Sequence, residues 1–205
     1  MNIFKKEILS ENQQKLLPII RKFKRKFFLV GGTAIALYLG HRRSVDFDLF
    51  TTTPFEKKSI EARLKNAGVK FKTAYQTKQE WSIFVFDTKI TFYYFTEKIQ
   101  PVNIFENIIR IPSLLDLAVM KAYTIGERSK WKDYVDLYFI LRDYLPMQKI
   151  IKRATYIFKD SFNEKLFREQ LVYFDDIDFS EEINFLNITP SIDEIKQFLT
   201  EAAIK

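Results

Sequence analysis

A chain of 205 residues with 47% apolar side chains and 21 phenylalanines can bury one core, or two small lobes that share one. It has no cysteine and one histidine, which excludes disulfides, thiolate metal sites and the usual zinc site, and fits a cytoplasmic address. The net charge of +7 favours a polyanionic partner such as a nucleotide or RNA, and any metal would be a hard ion held by oxygen.

The opening "MNIFKKEILSENQQ" carries neither the apolar segment nor the cleavage site of a signal peptide. No apolar run is long enough to span a bilayer, so no membrane partner is expected. Ser10 and Gln13 form a capping box before "QQKLLPIIRKF", a helix that Pro18 could kink and whose end is crowded with basic residues. "KFFLV" reads as a buried strand running into Gly31 and Gly32, and "TAIALYLG" as a short helix closed by Gly40. In "SVDFDLF" the alternation puts Val45, Phe47 and Leu49 on one face and Ser44, Asp46, Asp48 and Phe50 on the other. Thr53, Pro54 and Glu56 open a helix over "FEKKSIEARLKNAG" that stops at Gly68. "WSIFVF" and "KITFYYF" read as a hairpin turning at Asp87 and Thr88. Beyond Ile111 the pattern turns helical. Ser113 and Asp116 cap "LLDLAVMKAYTIGER", "KWKDYVDLYFILRDYL" follows, then "MQKIIKRATYIF", "NEKLFREQLVYF" and a helix capped by Ser191 and Glu194. The organisation expected is an α+β lobe over residues 1–110, with a mixed sheet flanked by helices, and a helical lobe over 111–205.

Asp46 and Asp48 are two apart on a strand, so their Cα atoms lie about 7 Å apart with both side chains on one face. A divalent Mg²⁺ or Mn²⁺ would convert their repulsion into coordination, as in nucleotidyl transfer, where such ions neutralise triphosphate oxygens. Gly31 and Gly32 let backbone N–H groups approach a phosphate at the positive end of the next helix, and Thr33 could add a hydroxyl donor. Alone, a D-x-D or a Gly-Gly is more often a solvated strand or a plain turn. Together, in the order strand, Gly-Gly-Thr, helix, D-x-D strand, they face one pocket.

That order resembles the nucleotidyltransferase superfamily with the DNA polymerase β-like fold. "GGTAIALYLGHRRSVDFDLF" with "SLLDLAVMKAYTIGERSKWKDYVDLYFIL" resembles the AbiEii/AbiGii toxin-type nucleotidyltransferases, over roughly residues 28 to 145. The resemblance implies that Gly32 and Thr33 hold nucleotide phosphates, that Asp46 and Asp48 hold metal, and that Arg43 and Ser44 match the basic-Ser lead-in. Many members of the superfamily carry a third acid on a later strand. Here Thr91 stands at the corresponding position, Asp87 falls in the hairpin turn, and Thr91→Ala is expected to be nearly silent.

In the second block Lys121 and Arg128 share a helical face, as do Asp133 and Asp136 on the next helix. Two readings stand. In one, Lys121 and Arg128 hold the triphosphate, Asp136 acts as general base or positions metal, and Asp133 is its less favoured substitute. In the other the four form an ion-pair seam, Lys121 with Asp136 and Arg128 with Asp133. The resemblance favours the first. Lys132 is expected to be solvated or to touch RNA, His41 to cap a helix, residues 21–26 ("RKFKRK") to suit an RNA backbone, and "FDDIDFSEE" to be acidic surface. The expected activity is transfer of a nucleoside monophosphate from an NTP to an acceptor hydroxyl. A tRNA 3′ end is the leading acceptor, and a protein side chain (AMPylation) is the alternative. Rivals are a degenerate nucleotide- or RNA-binding module and a partner-docking protein. The resemblance further implies a toxin–antitoxin or abortive-infection role with a cognate antitoxin; sequence-specific DNA binding is not expected.

Overall fold

The structure is a computed structural model and describes residues 4–125 and 128–205. Gly126 and Glu127, at the end of the "LLDLAVMKAYTIGER" helix, and the first three residues of the opening stretch lie outside the described residues.

Helix α1 (Glu11–Ile20) starts on the predicted capping box, with Ser10 and Gln13 bonding each other's backbone, and holds Pro18 inside it. Strand β1 (Phe28–Val30) runs fully buried into α2 (Gly31–Leu39), so the two glycines form the helix start. Strand β2 (Phe47–Thr51) begins one residue after Asp46. Val45 precedes the strand and is 62% exposed, which corrects its expected place on the buried face. Helix α3 (Lys57–Lys65) is followed by β3 (Lys72–Gln76), then by the hairpin β4 (Glu80–Val85) and β5 (Thr88–Tyr94). The hairpin turns on Phe86 and Asp87, both with positive φ. Strands β6 (Pro101–Phe105) and β7 (Ile109–Pro112) close the sheet series. Helices α4 (Leu114–Ile125), α5 (Trp131–Asp143), α6 (Met147–Phe158), α7 (Glu164–Gln170) and α8 (Ile192–Ile204) follow.

The seven strands make one mixed sheet in the order β3-β4-β5-β2-β1-β7-β6. β2 lies antiparallel to β1 and parallel to β5, with Val30 opposite Asp48 and Asp48 opposite Thr91. This register puts the end of the buried strand β1, Asp48 and Thr91 in one row across the middle of the sheet. Strands give way to helices at Pro112 and Leu114, and one hydrophobic cluster runs from Phe4 through the sheet and the later helices to Ala203.

Candidate active site

Gly31 follows β1 and starts α2 directly beside Asp48. A Cβ on Gly31 would lie 2.1 Å from Asp48 Oδ2, and Gly31 has φ +69°, so no L residue fits there without strain. A Cβ on Gly32 would lie 2.6 Å from Arg42 Nη2. The bare backbone thus lets the first turn of α2 press against an aspartate on one side and a guanidinium on the other. The buried Thr33 hydroxyl donates to the Asp46 backbone carbonyl and lies 3.0 Å from Ser44 Oγ. It staples the segment carrying the aspartates, and is turned inward rather than toward a ligand. Arg43 is exposed and anchors through its backbone N–H, which donates to the Asn184 carbonyl at 2.8 Å.

Among the described residues neither the Asp46 nor the Asp48 carboxylate has a hydrogen-bond or ion-pair partner. Burial pushes the Asp48 carboxyl up, and the Asp46 charge beside it pushes further; Lys89, Lys121 and Arg128 pull the other way without cancelling the rise. A buried carboxylate whose proton affinity is raised by a second one beside it, the two forming no ion pair among the described residues, is a donor set of the kind a hard divalent cation takes. The residues fit an ion held by two carboxylates. No group of three or more potential ligands occurs among the described residues, so substrate oxygens and water would have to complete the shell.

Behind the aspartates lies a buried charge cluster that ties the sheet half to the helical half. Asp136, 0% exposed, receives Arg42 Nε at 2.7 Å and Nη2 at 2.9 Å, His41 Nε2 at 2.8 Å and Lys121 Nζ at 3.0 Å. Asp133, equally buried, bonds Lys121 Nζ and takes Arg128 Nε at 3.0 Å. Burial alone would raise the Asp136 carboxyl. The charges of Arg42 and Lys121 and the His41 hydrogen bond outweigh it and hold it well below the usual carboxylate range. For Asp133 burial is likewise overcome, by Lys121 and Arg128. Burial lowers His41, which favours the neutral ring, and the ring donates Nε2–H to Asp136, leaving Nδ1 as a buried nitrogen with no hydrogen-bond partner among the described residues. The seam reading of the helical block is therefore the one the side chains adopt. A general base must be free to take a proton. Asp136 has both oxygens engaged and its proton affinity suppressed, and it does not reach the cleft. Its geometry is that of an anchor for Arg42, His41 and Lys121, and the general-base expectation does not fit it. Three cations face two carboxylates, so the cluster keeps a positive charge, which Lys121 and Arg128 present to the cleft.

That cleft encloses about 480 Å³ and is walled by Gly31, Asp48, Lys121 and Arg128 on the expected side. Asp46 stands just outside this wall. The far side holds residues that the sequence patterns did not single out: Lys89, without an ion pair among the described residues, Glu80, and an aromatic shelf of Phe50, Tyr93 and Phe95 with ring centroids 4.9 to 6.5 Å apart. The alternation of β5 was the available signal, since Lys89, Thr91 and Tyr93 share a face. Asp87 sits in the hairpin turn, away from the cleft. Lys132 is not free, because it pairs with Glu181 in the acidic segment, where Asp178 also holds Lys130.

The model of the nucleotidyl transferase AbiEii toxin of type IV toxin–antitoxin systems matches residues 19–204. The chain belongs to the AbiEii nucleotidyltransferase toxin family. An uncharacterized protein of Aquifex aeolicus (strain VF5), aq_aa25, is 30% identical over 185 residues, with 84% of each chain covered. Among solved structures, JHP933 from Helicobacter pylori matches with a TM-score of 0.59 at 18% identity, over 96% of this chain and 92% of that one. MenT4, a nucleotidyltransferase toxin of Mycobacterium tuberculosis H37Rv, matches with a TM-score of 0.58 at 9% identity, over 88% and 75%. At those identities the likeness is one of fold, and it shows the AbiEii chain as an α+β nucleotidyltransferase fold with a helical C-terminal region. Among the described residues no helix of this AbiEii protein is long and apolar enough to cross a membrane.

Proposed function

We propose that this AbiEii protein is a metal-dependent toxin enzyme that moves a nucleoside monophosphate from an NTP to an acceptor hydroxyl, with a tRNA 3′ end as the acceptor. The observation that carries the reading is the Asp46–Asp48 pair, without a partner among the described residues and set against the side-chain-free start of α2, with Asp48 on the same cleft wall as Lys121 and Arg128. Bound Mg²⁺ or Mn²⁺ would supply charge neutralisation at the triphosphate, held by Asp46 and Asp48. The chain's own residues do the rest. The first turn of α2 offers backbone N–H groups to phosphate oxygens, and the cluster beneath it lends positive charge through Lys121 and Arg128. Lys89 adds a further cation on the opposite wall. The aromatic shelf of Phe50, Tyr93 and Phe95 offers a face for a nucleobase. The acceptor oxygen attacks the α-phosphorus, the bond to the β-phosphate breaks, and pyrophosphate leaves. The positive net charge suits an RNA acceptor, and the family's toxin–antitoxin setting supports a cognate antitoxin as partner and an abortive-infection role.

Thr91, where a third acid would stand beside Asp48, favours a second reading, a module that binds nucleotide without transfer. Incubation with Mg²⁺, each α-labelled NTP and bulk tRNA separates the two. Label in RNA that vanishes in Asp48→Ala supports the enzyme. NTP binding with no labelled product supports the module, and label in protein alone supports AMPylation.

A further inference from the structure

The row that crosses the sheet at Asp48 continues through Thr91 on β5 to Ser82 on β4. Both hydroxyl residues are buried, at 7% and 2% exposure, and their oxygens lie 3.1 Å apart. Ser82 Oγ in turn donates to Glu80 Oε1 at 2.7 Å. This fixes the direction of the chain. A serine has one hydroxyl hydrogen, and here it goes to the carboxylate, so Ser82 can only accept from Thr91. Thr91 must therefore donate to Ser82, and its two lone pairs are left to accept from a hydroxyl in the cleft that it lines. Thr91 sits on the strand next to Asp48, about 4.8 Å away across the ladder. Glu80 also lines the cleft, has no ion-pair partner among the described residues, and is partly open to water.

We infer that Thr91, Ser82 and Glu80 form a proton relay that replaces the missing third acid, with Glu80 as the terminal acceptor. The inference rests on the transferase reading. As the acceptor oxygen forms its bond to the α-phosphorus and the bond to pyrophosphate breaks, the acceptor's proton passes to Thr91 Oγ1. The Thr91 proton passes to Ser82, and the Ser82 proton to the Glu80 carboxylate. Glu80 then returns that proton to solvent at the cleft mouth. The carboxylate is thus kept, but displaced two strands from Asp48 and joined to the reaction by two hydroxyls. This revises the expectation that Thr91→Ala is silent.

The test measures kcat and KM for label transfer from α-labelled NTP to bulk tRNA, for wild type, Glu80→Gln, Glu80→Asp and Thr91→Val, with melting curves on each. The relay predicts that Glu80→Gln and Thr91→Val lower kcat roughly 100-fold with the KM for NTP unchanged. It also predicts that Glu80→Asp recovers part of the rate. Glu80 is at the cleft mouth, so its glutamine variant remains decisive even if Thr91→Val does not fold. Wild-type transfer combined with a Glu80→Gln kcat within twofold of it, or a loss confined to KM, overturns the relay. A wild-type chain that binds NTP but labels nothing overturns the relay together with the transferase reading.

Discussion

Asp48 illustrates how one residue can serve function against stability. Its carboxyl is raised in the folded state, so folding binds its proton more tightly than the unfolded chain does. The contribution to stability is therefore best below the unfolded carboxylate value of about 4 and worsens as pH rises through the raised value. Asp48→Asn should raise Tm at pH 7 by about 2–4 °C, equivalent to roughly 1 kcal/mol, while transfer is lost. Asp133 and Asp136 carry the opposite sign. Their depressed carboxyls add stability above about pH 4 that is lost as pH falls from there toward their lower folded values. Asp136→Ala strands Arg42 and Lys121 in a buried site and should cost about 3–5 kcal/mol, read as a fall in Tm of roughly 10 °C. Lys121→Ala should weaken NTP binding more than Lys132→Ala, measured by titration, because Lys132 is paired with Glu181 outside the cleft. At this scale the D-x-D pair and its glycines were legible because spacing alone aligns them. The bonds from His41 and Arg42 to Asp136 were not, because they join residues 94 and 95 positions apart and depend on burial.

Elements were legible where local chemistry decides them. Ser10 with Gln13 and Ser191 with Glu194 cap helices as their spacing predicts, since each pair satisfies a backbone donor within one turn. Strands β3, β6 and β7 went unread. All five residues of β3 are exposed, β6 begins at a proline on the sheet edge and turns Val102 and Ile104 outward, and the Ile-Arg-Ile alternation of β7 spans only three residues, so none carries an alternation long enough to mark a half-buried strand. The β4–β5 hairpin, which carries Glu80, Ser82 and Thr91, turns on two non-glycine residues with φ of 47° and 60°. Left-handed backbone costs such residues roughly 1 kcal/mol each, and Phe86 is mostly exposed. Phe86→Asn with Asp87→Gly should therefore raise the unfolding free energy by about 1 kcal/mol, measured by urea titration, and leave transfer unchanged.

On the scale of the whole molecule, the helical half serves the sheet half by holding it. Arg43 and Leu186 donate backbone N–H groups to Asn184 and His41, Asn187 reaches Gly40, and the residues after α7 thereby strap the segment between α2 and Asp46. The acidic stretch read as free surface is part of this strap, bound to Lys130 and Lys132. The remaining basic charge gathers elsewhere. Lys22, Arg25, Lys26 and Arg63 ring a shallow recess of about 60 Å³. Changing Lys22, Arg25 and Lys26 to Ala should raise the KM for tRNA about tenfold without altering that for NTP, as loss of phosphate contacts predicts. The central claim is that Asp48 and Asp46 hold the metal that brings the triphosphate to the start of α2. Melting curves with and without Mg²⁺ and NTP test it most directly. Wild type should gain stability only when both are present, and Asp48→Asn should lose that gain while melting at least as high as wild type alone. A Mg²⁺-dependent gain that survives in Asp48→Asn would contradict the account.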